Sequence, residues 1–287
     1  MTQKVTTVLD DLNLTDRFLF DETMEEPEAY QATVSILLEN EIEFLGRPET
    51  EKELRISPQL RAVRLDVIGM DKAGKIYYTE MQKIDTRNLL KRSRYYQAQL
   101  DISLLEPGCV DFNRLNDAYF ILVAPFDIFG KGLYRYTFEG TCRECPELKI
   151  NDGAVRIFIN TRGTNREKFS QEFLDFMEYL TVTTDEAAEK TQSEKIKIVH
   201  RNVRKIKQSE KMGVKYMQLW EEKALVREEG IEQGIKQGIK EGIRQGVKAL
   251  VETCKELGLS REDTLSRTEK KFDLIRDVAE DYLKKFW

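Results

Sequence analysis

The chain has 287 residues, of which 40% are hydrophobic and 34% are charged, and its formal net charge is −5. This length accommodates one large domain or a core with an appendage. The negative balance gives no global signal for nucleic acid, so any surface that binds it has to be a local basic patch. The first residues lack an apolar leader and no run of about 18 apolar residues occurs, which predicts a cytoplasmic protein without a membrane span.

The chain contains a single histidine, His200. Histidine-dependent catalytic triads, HNH-type nucleases and histidine-rich zinc sites would all have to be built on this one residue. The composition therefore disfavours these three kinds of active site.

The first regular element that the sequence predicts is a helix from Pro27 to about Phe44. Proline is favoured at the first helical position. Apolar residues then recur at helical spacing, at Tyr30, Val34, Leu37, Leu38 and Ile42. We interpret the acids Glu39 and Glu43 near its end as a solvated face. A short strand is predicted next, at residues 53–57.

Two short strands joined by a turn form the centre of the sequence, at residues 64–68 and 76–81. Both are rich in β-branched, aromatic and apolar residues, and the residues between them favour a connecting loop. If the turn is centred near Ala73, antiparallel pairing places Asp66 directly opposite Glu80. Two facing carboxylates have Cβ atoms only about 5 Å apart, and they repel each other unless a cation lies between them.

A divalent ion such as Mg²⁺ or Mn²⁺ would relieve this repulsion, because hard cations prefer carboxylate oxygen ligands. Gln82 follows Glu80 by two residues and therefore lies on the same face of the strand. The hairpin thus predicts a metal site formed by Asp66 and Glu80, with Gln82 beside it.

A second helix is predicted at residues 86–105, with one apolar side and one basic side. The basic side carries Arg87, Lys91, Arg92 and Arg94. Arg87, Lys91 and Arg94 are candidates for contacts with nucleic-acid phosphates. Packing of Arg94 against the core is an equal alternative.

A continuous apolar run at residues 118–125 predicts a strand that is covered on both faces. The predicted order is therefore helix, three strands, helix and strand. Further strands at residues 133–139 and 155–159 and a helix at residues 169–180 extend this core. The first domain is predicted to span residues 1–183.

Residues 184–257 form a charged, helical region. Its basic part, residues 195–211, is either a solvated face or an arm that contacts phosphates. Within residues 230–247, glycine recurs at every fourth position and is followed each time by isoleucine or valine. Glycine costs about 0.8–1 kcal/mol in a helix, and aligned small residues let two helices approach closely. We predict a self-association helix, with a flexible linker as the alternative. Residues 258–287 are predicted to form a small helical tail.

The pattern Asp…Glu-x-Gln on a hairpin resembles the PD-(D/E)XK nuclease superfamily, and in particular its recombination-promoting nuclease / putative transposase family, where Glu-x-Gln replaces Glu-x-Lys. The segments LTDRFLF, RLDV, TEMQ and KRSRYYQAQL and the late Gly-x-x-x array extend the resemblance over nearly the whole chain. The resemblance implies an α/β fold with an αβββαβ core, a mixed sheet flanked by helices and a C-terminal helical extension. In that superfamily a glutamate on the first helix often assists the metal, which makes Glu39 and Glu43 candidates for such a role beside their interpretation as a solvated face.

Together, the residues and the resemblance predict a Mg²⁺- or Mn²⁺-dependent DNA endonuclease that acts in recombination, mobile elements or defence. Asp66 and Glu80 would hold the metal, and Gln82 would position the attacking water without the charge that a lysine brings. Two alternatives remain open: a catalytically silent protein that binds nucleic acid or assembles on the same fold, and a nuclease acting on RNA. The expected assembly is a homo-oligomer formed through the glycine-repeat helix.

Overall fold

The computed structural model describes residues 9–54 and 63–287, and the side chains of Glu51, Leu54, Val63 and Arg64 are left out of the description. Residues 1–8, on which the expectation about a leader depends, lie outside the described residues. Among the described helices, none combines the length and apolar character that crossing a bilayer requires.

A mixed sheet of six strands organises the described residues, in the spatial order β1-β2-β3-β4-β6-β5. The strands are β1 (Glu49–Leu54), β2 (Val63–Met70), β3 (Ile76–Met81), β4 (Ala118–Ala124), β5 (Arg135–Phe138) and β6 (Ala154–Asn160). β1, β2 and β3 form an antiparallel meander, β3, β4 and β6 run parallel, and β5 closes the far edge antiparallel to β6. The predicted strand at residues 53–57 overlaps the end of β1, and its remainder lies outside the described residues.

Nine helices accompany the sheet in the described part of the chain. They are α1 (Arg17–Met24), α2 (Pro27–Leu38), α3 (Leu89–Leu104), α4 (Gln171–Thr181), α5 (Asp185–Lys190), α6 (Glu194–Lys207), α7 (Glu210–Glu256), α8 (Arg261–Phe272) and α9 (Arg276–Phe286). The α/β class, the mixed sheet flanked by helices and the C-terminal helical region are confirmed. The helix predicted at residues 27–44 is shorter than expected, because Glu39 adopts a left-handed conformation and ends α2.

The hairpin between β2 and β3 has the register that the sequence predicts, with Val67 paired to Thr79 and Ile68 to Tyr78. Asp71 organises its turn, because its Oδ1 accepts hydrogen bonds from the amides of Ala73 (2.9 Å) and Lys75 (2.8 Å). Gly74 has φ +81°, a conformation that residues with a Cβ rarely adopt. The turn chemistry therefore fixes which residues of the two strands face each other.

The two faces of the sheet are buried by different helices. α3 packs on β1, β2 and β4 over one face, where Ile68, Tyr78, Leu100 and Phe120 belong to a single apolar cluster. The other face carries a larger cluster to which α1, α2, α4 and α6 contribute. The covering of both faces explains why β4 is almost entirely apolar.

The chain divides into two compact units, Met1–Tyr216 and Met217–Trp287. The first unit includes α6, which packs on α2 and buries Ile196, Val199 and Val203. The change in sequence character after residue 183 therefore does not coincide with the division between the units.

The second unit consists of the greater part of α7 together with α8 and α9. Its core is formed by Val247, Val251, Leu265, Ala279 and Leu283. At Gly246 the ring of Phe272 lies so close that a Cβ on this glycine would be 2.6 Å from Cε1. The other four glycines of the repeat have open space at the corresponding position.

Candidate active site

Asp66 and Glu80 lie at the point where the ladder between β2 and β3 stops. The last pair toward this end is Val67 with Thr79, so Asp66 and Glu80 are the next residues of the two strands. Both are buried, with relative exposures of 1% and 5%. A buried carboxylate is costly unless a charge or hydrogen bonds compensate it. The compensation comes from two arginines.

Arg17, the first residue of α1, connects Asp66 to a third acid. Its Nη2 forms an ion pair with Oδ1 of Asp66, and its Nε lies 3.3 Å from Oδ2 of Asp21. Asp21 is buried and lies one helical turn after Arg17. Asp16 caps α1 by accepting a hydrogen bond from the amide of Phe18 at 3.1 Å, which fixes the start of the helix beside the strands.

Arg92, in the first turns of α3, connects Glu80 to Gln82. Its Nη2 donates to Oε1 of Glu80 and to Oε1 of Gln82. The side-chain nitrogen Nε2 of Gln82 donates a hydrogen bond of 2.7 Å to the carbonyl oxygen of Ile84. The second oxygen of Glu80 accepts a hydrogen bond of 3.1 Å from the hydroxyl of Tyr78. Glu80 and Gln82 thus both accept hydrogen bonds from the guanidinium group of Arg92.

Burial raises the pKa of Asp66 well above its ordinary value, and the charge of Asp21 adds to the rise while Arg17 opposes it. Burial also raises the pKa of Glu80, against the opposing effect of Arg92. Burial lowers the pKa of Arg17, but Asp66 and Asp21 outweigh it and the pKa is raised. These shifts mark a cluster where negative charge is concentrated away from water, an arrangement that is frequent at functional sites.

Three other basic residues that the sequence singles out are exposed on α3 or in the loop before it. Arg87 is exposed in the loop before α3, with φ +56°. Lys91 and Arg94 are exposed on α3, and Arg94 lines a cleft of about 330 Å³ together with Arg156. The structure therefore brings Asp66, Glu80 and Gln82 together, while the arginine that reaches them is Arg92.

The two glutamates considered as helpers are engaged elsewhere. Glu39 forms an ion pair with Arg135 at 3.4 Å and accepts a hydrogen bond of 2.8 Å from the amide of Ser170. Glu43 forms an ion pair with Lys72. Asp21 is the acid that α1 brings to the cluster.

Sequence reasoning does not single out Arg17, Asp21, Arg92 or Tyr78 as members of the site. A signal was present for Arg17 and Asp21, because a base and an acid four residues apart form a pair when the segment is helical. The sequence analysis does not predict the helix α1, and without a helix the spacing of Arg17 and Asp21 does not indicate a pair. For Arg92 the sequence offers four neighbouring bases and no means of choosing among them.

The chemistry of the donor set can be compared with the needs of Mg²⁺ or Mn²⁺. Oδ2 of Asp66 is buried and has no hydrogen-bond partner in the described part of the chain. Asp66 and Glu80 offer two carboxylates, and Mg²⁺ is commonly held by one or two carboxylates with water and phosphate oxygens completing its shell. No group of three or more His, Cys, Asp or Glu residues arranged to hold a metal occurs in residues 9–54 and 63–287. The residues therefore fit a site with two protein carboxylates.

Comparisons of the chain with family models, with curated proteins and with solved structures find no match. The fold class is defined by the sheet and its helices alone, and the nuclease family remains a prediction from the sequence.

Proposed function

We propose that this protein is a metal-dependent DNA endonuclease of the PD-(D/E)XK type. The observation that carries the proposal is the juxtaposition of Asp66 and Glu80, both buried and both with a raised pKa, at one end of the β2–β3 ladder. Two carboxylates buried side by side destabilise the fold, because burial and their mutual repulsion both disfavour the charged forms. Such a pair is rare where it has no role that offsets this cost.

Asp66 and Glu80 would hold Mg²⁺ or Mn²⁺, which supplies the neutralisation of charge on the phosphate and the activation of water. Asp21 adds negative charge behind Asp66 and strengthens the attraction for a cation. Gln82, with an amide that both donates and accepts, would orient the attacking water. Arg87, Lys91 and Arg94 would contact phosphates of the DNA that lies across the start of α3.

The sequence offers the DNA no broad basic surface, as the net charge of −5 indicates. The contacts with DNA would therefore be concentrated on the basic residues near α3. Because these residues would contact phosphates of the DNA backbone, binding should depend markedly on salt concentration. The affinity for DNA should therefore fall as the ionic strength rises.

A second candidate, a catalytically silent protein that binds nucleic acid or assembles on the same fold, is favoured by one observation. Arg17 and Arg92 pair with Asp66 and Glu80 as they would in a purely structural ion network. Such networks also raise or lower pKa values without any catalytic role. Metal-dependent cleavage distinguishes the two candidates.

The deciding experiment measures nicking of supercoiled plasmid with Mg²⁺, with Mn²⁺ and with EDTA, and runs single-stranded RNA in parallel. We expect cleavage of DNA with either metal and none with EDTA. Asp66→Asn and Glu80→Gln should each lower the rate about 100-fold or more, the scale on which losing transition-state charge stabilisation is felt. Glu178→Gln is the matched control, since Glu178 is exposed on α4 and pairs with Arg166 at 3.7 Å outside the site. A folded protein that cuts neither substrate with any metal would support the silent candidate instead.

We further propose that two copies of the chain associate through α7 in antiparallel orientation. Ile231, Ile235 and Ile239 follow glycines of the repeat and are 53%, 58% and 59% exposed, so this face of the helix offers apolar contact area and open space. Five acids and two bases lie between Glu221 and Glu232, whereas four bases and one acid lie between Lys236 and Lys248. An antiparallel pair would bring the acidic half of each helix against the basic half of the other.

A further inference from the structure

Arg17 and Arg92 are more exposed to solvent than the acids that they neutralise. The side chain of Arg17 is 48% exposed while that of Asp66 is 2% exposed. The side chain of Arg92 is 22% exposed while that of Glu80 is 6% exposed. A cation that binds these carboxylates therefore has to compete with the guanidinium groups that already pair with them.

Both arginines are attached to backbone that is held independently of the acids. Arg17 is the first residue of α1, behind the cap formed by Asp16. The amide of Arg92 donates to the carbonyl of Asn88 at 2.9 Å in the first turn of α3. Each side chain has four rotatable carbon–carbon and carbon–nitrogen bonds before its planar group, as every arginine does. A guanidinium can therefore leave its acid by side-chain rotation while the helix stays in place.

The charge balance of the cluster would change when a divalent cation binds. Asp21, Asp66 and Glu80 supply three carboxylates, and Arg17 and Arg92 supply two guanidinium groups. A divalent cation bound to Asp66 and Glu80 would offset their two charges and leave the cluster with one net positive charge, because Asp21 still balances one guanidinium group. A phosphodiester carries one negative charge, and its oxygens match the donor geometry of arginine.

We propose that Arg17 and Arg92 are exchangeable counter-ions: they neutralise Asp66, Asp21 and Glu80 when no metal is bound, and they turn to the phosphate of the substrate when a divalent cation takes their place. The inference rests on the proposed nuclease function and adds a specific order to it. Metal binding and phosphate binding become coupled, because the same two side chains have to leave one partner before they reach the other.

This exchange makes a prediction opposite to that of a fixed structural clamp. If the arginines compete with the cation, the metal binds only the fraction of molecules in which the acids are free, and its apparent affinity is reduced accordingly. Removing an arginine then strengthens metal binding. If the arginines hold the acids in the geometry that the metal needs, removing one weakens metal binding.

The test is calorimetric titration of the full-length protein with Mn²⁺, in the absence of DNA. Arg17→Met and Arg92→Met keep the hydrocarbon part of the side chain and remove the charge. We expect each to bind Mn²⁺ more tightly than the unaltered protein, by about tenfold. Arg135→Met is the matched control, because Arg135 also pairs with a partly buried glutamate, Glu39, but away from the cluster. Its affinity for Mn²⁺ should be unchanged.

Thermal unfolding with and without Mn²⁺ guards against loss of folding in the variants. Without metal, Arg17→Met and Arg92→Met should melt below the unaltered protein, because buried acids are left uncompensated. Mn²⁺ should raise their melting temperature by more than it raises that of the unaltered protein, since a tighter ligand stabilises more. An equal or smaller rise in the variants would overturn the exchange.

Binding of a fluorescent DNA duplex in Ca²⁺ gives the second half of the prediction. Arg92→Met should bind the duplex about tenfold more weakly at low salt, since a charge-assisted contact to phosphate is lost. Unchanged binding of DNA by both arginine variants would overturn the phosphate role.

Failure of the exchange and failure of the nuclease proposal give different results. If Mn²⁺ binds the unaltered protein and is lost in Asp66→Asn, but the arginine variants bind it no more tightly, the metal site stands and the exchange is wrong. If neither the unaltered protein nor the arginine variants bind Mn²⁺, both proposals are wrong.

Discussion

Tyr78 and Glu80 lie two residues apart on β3, and the buried hydroxyl of Tyr78 donates a hydrogen bond of 3.1 Å to Oε2 of Glu80. The bond lowers the pKa of this carboxyl, which burial raises. Tyr78 is itself fully buried, and burial raises its own pKa well above the ordinary value, so its hydroxyl keeps its proton and remains a donor at neutral pH. It therefore helps to keep Glu80 in the ionised form that binds a cation.

Replacing Tyr78 with phenylalanine should raise the pKa of Glu80, because the carboxylate loses a hydrogen bond that favours its charged form. Glu80 would then stay protonated to higher pH, and the acid limb of the pH–rate profile for DNA nicking should move to higher pH. Tyr136→Phe provides the control, since the hydroxyl of Tyr136 donates to Asp127 at 2.8 Å, outside the cluster. Superimposable acid limbs for Tyr78→Phe and the unaltered protein would contradict the assignment of Glu80.

Gln82 is the residue for which substitution separates two roles. Gln82→Ala should slow cleavage about 100-fold, because a group that orients water is lost. Gln82→Lys should stay within about tenfold of the unaltered rate, since an ammonium group near the attacking water favours hydroxide. The ammonium would also repel the guanidinium of Arg92, whose Nη2 donates to Gln82 and Glu80. Single-turnover nicking rates measure both variants, and a lysine variant as slow as the alanine variant would assign Gln82 a structural role.

Asp66 should make the metal-free protein less stable as the pH rises. Its pKa in the folded protein lies well above the ordinary 3.8 expected of the unfolded chain, so the folded state binds more protons in the interval between the two values. The stabilising contribution is present below that interval and is lost as the pH rises through the folded-state pKa. The free energy of unfolding should fall by at most about 1.4 kcal/mol per pH unit from this one group.

Urea unfolding in EDTA at several pH values between 5 and 8 tests this expectation against Asp66→Asn. The asparagine does not titrate, so the stability of the variant relative to the unaltered protein should increase with pH. A constant difference across the series would show that Asp66 titrates at its ordinary pKa in the folded protein.

The hairpin illustrates what local sequence determines. Asp71 and Gly74 have side-chain and backbone properties that select the turn, and the turn fixes the register of β2 against β3. The position of Asp66 relative to Glu80 follows from these few residues, and so it was predictable. The buried strand β4 was predictable for a similar reason, because its apolar run records burial on both faces.

The partners of the two acids were not predictable, because they depend on packing between distant segments. Arg17 is separated from Asp66 by 49 positions in the chain, and no local pattern relates them. Arg92 is one of four bases within eight residues, and only the rotation of α3 on the sheet brings it to Glu80 while Arg94 faces another cleft. Side-chain placement of this kind is decided by the tertiary fold.

Two glycines of the repeat should respond oppositely to alanine. Gly238 has open space around the position of a Cβ, so Gly238→Ala should increase the free energy of unfolding of the helix by about 0.8–1 kcal/mol. At Gly246 a Cβ would lie 2.6 Å and 2.8 Å from the ring of Phe272. Gly246→Ala should therefore destabilise the second unit, since overpacking typically costs about 1–3 kcal/mol. Thermal unfolding measures both, and equal effects would argue against the contact with Phe272.

The distribution of charge along α7 gives the sharpest test of self-association. We expect the unaltered protein to be a dimer by light scattering at low salt, and expect the dimer to weaken as salt screens the charges beyond about 10 Å at 0.1 M. Changing Lys236 and Lys240 to glutamate makes the basic half acidic, and changing Glu228 and Glu229 to lysine makes the acidic half basic. Each variant alone should be monomeric, because like charges then face each other in the antiparallel pair.

Mixing the two charge-reversed variants in equal amounts should restore the dimer. In the mixed pair the acidic half of one chain again meets a basic half of the other at both ends, while each variant paired with itself still places like charges together. This rescue distinguishes a specific antiparallel contact from a general loss of helix stability, which mixing could not repair. If the variants and the unaltered protein have the same mass per particle, α7 is not the contact between copies. If the variants are monomeric and the mixture is too, the antiparallel arrangement is wrong even though the helix takes part in assembly.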